Sequence, residues 1–218
     1  MKHLIFGYGE VGKGLHKVLG ESYIYDRNEK YTNYHGHGQP VDWVHVCIPY
    51  SKRFNVIVEA LKNVSKNIIV HSTVPVGTCD KLKVIHSPIR GVHPNLHIGI
   101  KTFWKYLGGQ KALGAAQMLS KYGLRCRVYA KARTTEAIKL WDTTQYGRLI
   151  MLEKEIFNWC KKNKINFEAV YTQANQDYNE GYMKLGRPEV VRPYLKHVPG
   201  PIGGHCVLPN AKLLKIKL

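Results

Sequence analysis

The first 130 residues alternate short apolar runs with amphipathic stretches. HLIFGYG reads as a strand ending in glycines, and VGKGLHKVL after it has helical spacing. SYIYD gives a second strand and VDWVHVCIP a third. FNVIVEALKNV then reads as a helix with Val56, Val58, Leu61 and Val64 as its apolar positions. NIIVHST, KVIHSP, KYLGG and LRCRVYA read as further strands. Alternating strand and helix units of this length predict an α/β fold with a doubly wound parallel sheet.

The pattern changes at Ala132. From 133 to about 162 there is no proline and a single glycine, Gly147. Ile138, Trp141, Tyr146, Leu149, Leu152, Ile156 and Trp159 fall near helical spacing, which predicts one long helix, roughly 40 Å, with Thr134 or Thr135 capping its start. So long a helix exceeds what a small domain needs, so it is expected to pack on other helices or on a second subunit in a homodimer. Residues 167–185 read as another helix, interrupted near Gly181. GRPEVVRPYLKHVPGPIGG, rich in Pro and Gly, reads as loop, with a short closing helix from Asn210. Two domains are expected: 1–131, built on the sheet, and 132–218, small, helical and carrying the GGHC loop.

At 218 residues and 44% hydrophobic, the chain is long enough for one sizeable core plus a smaller piece. No apolar run approaches the ~20 residues of a membrane span. The start, MKHLIFGYG, has too short an apolar stretch for a signal peptide. A cytoplasmic protein without a membrane partner is expected. Five cysteines, odd in number and without a CxxC pair, argue against a disulfide framework or structural zinc. His93 and His97 have the i,i+4 spacing of ligands on a helix, but Pro94 lies between them, so they read as polar loop residues and no metal is expected. The net charge of +18 is shared by both parts: 18 basic and 7 acidic residues up to 130, 15 and 8 beyond. Such a field attracts anions. It permits nonspecific nucleic-acid binding, which is not expected as the function, and a lysine-rich solvated surface explains it equally well.

GYGEVG (7–12) is a GxGxxG between a strand and a helix. Gly7 suits a tight turn, Gly9 a close approach to a pyrophosphate and Gly12 helix–strand packing, with Tyr8, Glu10 and Val11 filling the loop. The helix N-terminus adds unpaired N–H groups and a positive dipole end. Asp26 ends the second strand, placed to accept hydrogen bonds from a ribose and to repel a 2′-phosphate. NAD is therefore the expected cofactor, although Arg27 beside it softens the preference. The pattern identifies a Rossmann domain. Ile48 and Pro49 after the third strand complete the cofactor set together with Thr73 in HSTVPVGT (71–78), where Thr73 reads equally as a helix cap or a nicotinamide contact and Pro75 suits a helix's first turn.

In GPIGGHC (200–206), paired glycines let the chain turn and present Cys206, but locally an inert, packed cysteine is the more ordinary reading. The order of motifs changes that weight. HSTVPVGT, SPIRG, KYLGG, TTEAIKLWDTT and GPIGGHC occur in succession, and this succession resembles the UDP-glucose/GDP-mannose/UDP-N-acetylmannosamine dehydrogenases, relatives of the 6-phosphogluconate and 3-hydroxyisobutyrate dehydrogenases. The resemblance implies an NAD-binding Rossmann domain, a helical domain on a long dimerising helix, and a third, nucleotide-sugar-binding domain that is expected to be missing here. It makes Cys206 the nucleophile of a four-electron alcohol oxidation, with His205 and nearby cations polarising it. It also places Lys139 beside the reacting oxygen, though an ordinary exposed lysine is the alternative.

Three positions depart from the family. Thr143 replaces an asparagine, Ile89 a carboxylate, and Asn210 an aspartate. The catalytic set is thus Cys206, Lys139, Thr73, Thr143 and Asn210, with part of the hydrolytic equipment lost. The expectation is an NAD-dependent dehydrogenase acting on a primary alcohol of a sugar-like or anionic substrate. A basic loop (Arg187, Arg192, Lys196, His197) could hold such a substrate. Alternatives are a two-electron hydroxy-acid-type dehydrogenase and an inactive NAD-binding sensor or scaffold.

Overall fold

The computed structural model describes residues 1–36, 38–202 and 206–218. They form two compact units, Met1–Lys139 and Leu140–Leu218. In the first, β1 (His3–Phe6), β2 (Tyr23–Tyr25), β3 (Trp43–Val46), β4 (Ile68–Val70), β5 (Ile85–His86), β6 (Lys105–Gly108) and β7 (Cys126–Tyr129) make one seven-stranded sheet. Its order is β2-β1-β3-β4-β5-β6-β7. The expected Rossmann α/β architecture is present, with one correction: β5 and β6 run antiparallel, while every other pairing is parallel.

The helices are α1 (Glu10–Leu19), α2 (Phe54–Leu61), α3 (Thr78–Leu82), α4 (Leu96–Thr102) and α5 (Ala112–Ser120). Successive strand residues point to opposite faces. Ile5, Ile69, Ile85 and Leu107 pack with Leu15 of α1, Ile100 of α4 and Leu119 of α5. Leu4, Val44, Val46 and Val70 pack with Phe54 and Val58 of α2 and Leu82 of α3. Both faces are covered, which is why the strands read as unbroken apolar runs. Two of these helices have no counterpart in the sequence pattern: α5 is Ala-rich with little polar contrast, and α4 starts directly after HPN. The helix expected to open at Pro75 starts three residues later, at Thr78, as the five-residue α3. His97 lies in α4, whereas His93 precedes it and forms an ion pair with Glu10.

The long helix, α6 (Ala132–Lys162), is present, but it begins ahead of both Thr134 and Thr135, so neither caps it, and the Thr135 hydroxyl donates back to the Ala132 carbonyl. Gly147 is a point of close approach: a Cβ there would lie 2.6 Å from side chains of both Val207 and Leu218. The expected break at Gly181 does not occur. That residue lies inside α7 (Ala174–Lys184), and the irregularity is a π-helical turn before it, Glu168–Gln173. The closing helix, α8 (Val207–Leu213), begins before Asn210, not at it. Among the described residues no helix is long and apolar enough to cross a membrane.

Candidate functional site

The GYGEVG loop has the geometry its glycines predict. Gly7 has φ +98°, and a Cβ there would lie 2.8 Å from the Ile48 side chain and 3.0 Å from the Cys47 carbonyl carbon. At Gly12 a Cβ would fall 2.1 Å from the Gly7 carbonyl oxygen, whereas at Gly9 nothing lies within 4 Å. Two glycines are therefore demanded by the chain itself, and the third faces open space where a ligand backbone can approach. Asp26 accepts from the Tyr8 N–H at 2.6 Å and the Asn28 N–H at 2.9 Å. These N–H groups, Asn28 first and then Tyr8, hold its carboxyl below the usual carboxylate range.

The neighbouring strand ends are tied to this loop. The Cys47 N–H donates to the Phe6 carbonyl, and the Ser72 hydroxyl donates to the Ile48 carbonyl at 2.5 Å. The structure thus brings Gly7, Tyr8, Gly9, Gly12, Asp26, Ile48 and Thr73 to one rim at the carboxyl ends of β1 to β4, where doubly wound sheets bind ligands. Pro49 and Arg27 are exposed on the same loops, and Val11 packs against the core. Glu10 is engaged by His93. The Asp26 carboxylate at the end of β2 and the unobstructed backbone at Gly9 fit a dinucleotide. Thr73 does not cap α3. That helix starts at Thr78, and the Gly77 and Cys79 N–H groups donate to Glu136 at 2.5 and 2.7 Å.

Lys139 donates to the Ile89 carbonyl at 2.9 Å and is half-buried, so the exposed-lysine alternative is set aside. Ile89 itself, 6% exposed, is part of the apolar core, which leaves no room for a carboxylate's role. In the second unit, Cys206 sits half-buried at the N-cap of α8. One turn on, buried Asn210 donates from Nδ2 to the Thr143 hydroxyl at 2.9 Å. Two of the three departures from the family pattern are thus partners. Gly203, Gly204 and His205, and with them the presenting turn, lie outside the described residues.

The basic loop is not an unengaged cation cluster. Arg187 pairs with Glu189, the Arg192 guanidinium lies 3.5 Å from the Tyr178 ring centroid, and His197 bonds to Glu153 at 2.5 Å while stacked on Phe157. Cys47 and Cys126 are half-buried, not fully buried as apolar strands suggest, yet burial pushes the Cys47 thiol up to about 12 and raises that of Cys126. Cys79 and Cys160 are the buried pair.

Sequence reasoning missed a buried polar row crossing the sheet. The His71 Nδ1 lies 2.7 Å from the Ser87 carbonyl, which can only accept, so Nδ1 carries the proton. His45 Nδ1 must then donate to His71 Nε2 (3.0 Å), and His3 Nδ1 to His45 Nε2 (3.0 Å). Finally the Tyr122 hydroxyl donates to His3 Nε2 (2.8 Å). Every member is neutral. Burial lowers His3 to about 4 and His45 and His71 well below the ordinary histidine value. Lys105, 3% exposed, donates to the Ser87 and Pro88 carbonyls at 2.8 and 2.9 Å, and burial brings it down to about 7. The signal was present: a histidine or lysine inside an otherwise apolar strand.

No family model matches the chain, and no curated protein sequence matches it. Solved structures do. The UDP-D-ManNAc dehydrogenase of Pyrococcus horikoshii superposes with a TM-score of 0.73 at 17% identity, over 98% of this chain and 63% of that one. The UDP-N-acetyl-mannosamine dehydrogenase of Staphylococcus aureus gives 0.71 at 19% identity, over 99% and 66%. The 3-hydroxyisobutyrate dehydrogenase of Mycobacterium tuberculosis gives 0.63 at 14%, over 88% and 76%. The chain spans under two thirds of the length of the first two. At these identities, what it shares with the UDP-sugar and 3-hydroxyacid dehydrogenases is their fold.

Proposed function

We propose that the protein is an NAD-dependent dehydrogenase related to the UDP-glucose/GDP-mannose/UDP-N-acetylmannosamine dehydrogenases, oxidising a primary alcohol of a sugar-like or anionic substrate. The observation that carries this reading is the Gly7–Gly9–Gly12 loop, closed wherever the chain needs it and open at Gly9, with Asp26 anchored on the loop's own N–H. NAD, when bound, takes up the hydride equivalents of the oxidation. Gly9 and the N-terminus of α1 would face its phosphates, and the ionised Asp26 would accept from the ribose hydroxyls and repel a 2′-phosphate. Lys139, oriented by the Ile89 carbonyl, would stabilise the substrate alkoxide.

Cys206 would act after the first oxidation. Its sulfur adds to the aldehyde carbon and the thiol proton passes to the oxygen, giving a thiohemiacetal. A second oxidation yields a thioester, and water releases the acid and the thiol. This last step is where the chain is least equipped. Ile89 offers no base, and Asn210 cannot take up a proton at neutral pH and spends its amide on Thr143. That pairing favours a second reading in which oxidation stops after two electrons, or NAD is held without turnover. The proposed enzyme is cytoplasmic and homodimeric across the exposed apolar side of α6.

The test is NADH release over a panel of sugar-like and anionic alcohols. Two NADH per substrate is expected from the four-electron enzyme, one from the shorter reaction, and none from a binding protein. Limited iodoacetamide labelling, read by mass spectrometry, should reach Cys206 before Cys47, and bound NAD should change its rate. Full activity in Cys206→Ser would remove the covalent step. Failure to bind NAD by calorimetry would overturn the whole reading.

A further inference from the structure

Between Asp80 and Glu136 the chain carries eleven lysines and arginines and no carboxylate. These residues build β5 to β7 and the helices between them, so most of the first unit's positive excess lies at one end of the sheet. On that end lies a row of rings and guanidinium groups. Lys105 and Leu107 are buried, so Tyr106 alternates to the opposite face beside Arg127 of the neighbouring strand, while Trp104 and Arg125 stand just before the two strands. The Arg127 and Arg125 guanidinium groups lie 4.6 and 5.2 Å from the Trp104 ring centroid, and that of Arg90 lies 4.4 Å from Tyr106. Trp104 is 39% exposed, Tyr106 is half-buried, and Arg125 and Arg127 are exposed.

We propose that this face binds single-stranded nucleic acid. Arginines on an edge strand also discourage pairing with another sheet, but that role needs charge alone and not a tryptophan between them. An exposed tryptophan set among arginines matches two features of a single strand: unstacked bases that lie flat on aromatic surfaces, and phosphates spaced along the backbone. A duplex hides its base faces, and an acidic peptide or anionic lipid surface offers charge without flat rings. The surface belongs to the first unit alone and does not depend on the dehydrogenase reading.

The probe is a fluorescently labelled 20-nucleotide oligo-U, with oligo-dT beside it, titrated by anisotropy into the full chain at two salt concentrations. Binding that weakens steeply with salt is expected. Trp104→Ala and Arg127→Glu should each weaken it about tenfold. Trp104→Phe should keep most of the affinity, and Lys30→Glu, outside the carboxylate-free stretch, should change it less than about twofold. Absence of binding overturns the proposal. So does equal binding by Trp104→Ala and the unmodified chain, or inorganic polyphosphate competing as well as oligo-U, because charge alone would then suffice. Tighter binding to phosphatidylserine vesicles or polyglutamate would assign the face to a membrane or an acidic protein instead.

Discussion

The two units dispose of their apolar side chains in opposite ways. In Met1–Lys139 successive strand residues go to opposite faces, and five helices close both sides over Leu4, Ile5, Val46, Ile69 and their neighbours. In Leu140–Leu218, α7 buries none of its residues, and the side of α6 beside it leaves Leu152 and Trp159 about half exposed, at 50% and 54%. Leu149, Leu152, Ile156 and Trp159 line a groove of about 670 Å³ together with Val170 and Tyr171. A sheet has two broad faces that short helices can cover, whereas a long helix with few companions needs a surface from elsewhere. The first unit carries its own core. The second awaits a cover, and a second copy is the one proposed.

The better-packed unit also holds the more pH-sensitive core, and acid should expose this. His3, His45, His71 and His86 are neutral in the fold, with pKa values below the ordinary 6.5. The unfolded chain therefore takes up protons between pH 6.5 and about 4 that the fold does not, and stability must fall across that window. His3 alone accounts for about 3 kcal/mol at its lower end. Hydrogen exchange should show the sheet opening before α6. Lys105 has the same sign in a higher window, because the unfolded chain again holds a proton that the fold does not. With its pKa lowered to about 7, stability should rise from pH 7 towards 10, and Lys105→Met should flatten that rise. Denaturant midpoints that do not move between pH 7 and pH 4.5 would remove the neutral histidine row.

Next in size is the glycine loop. Gly12→Ala drives a Cβ into the Gly7 carbonyl and should cost about 3 kcal/mol. Gly9→Ala meets nothing in the fold and should cost under about 1 kcal/mol, yet it should abolish NAD binding in calorimetry. If the two variants melt alike, the division of roles between these glycines fails. On the second unit, Leu152→Glu or Ile156→Glu should shift the light-scattering mass from near twice 24.9 kDa to that value, with helix content by circular dichroism largely kept. A mass near 24.9 kDa for the unmodified chain at micromolar concentration would end the proposal that α6 is covered by a second copy. The smallest expected effect is at Asp26. Its replacement by Ala should reduce the preference for NAD over NADP about tenfold, because a charge-assisted acceptor and a repulsion are lost together.

How much was legible follows from the physics of each element. The strands, α1, α2 and α6 announce themselves because their apolar periodicity is long or unbroken. The Ala-rich α5 carries too little contrast, and the β5–β6 reversal is invisible because a buried strand reads the same in either direction. In the candidate site, Gly7, Gly12 and Asp26 could be named because turn dihedrals, close approach and charge impose local demands on residue type. Glu136 as the cap of α3 could not, since the contact spans 57 residues and no local rule reaches that far. The same holds for the row from Tyr122 through His3, His45 and His71 to Ser87, whose members come from separate strands and a distant turn. By itself the sequence determined the alternation of elements, the glycine loop and the long helix, all set by interactions within a few residues. Only the tertiary structure decided that Asn210 would spend its amide on Thr143, that Lys139 would be held at Ile89, and that four histidines would lie neutral in the core beside a buried lysine. Those outcomes depend on which distant groups meet once water is excluded.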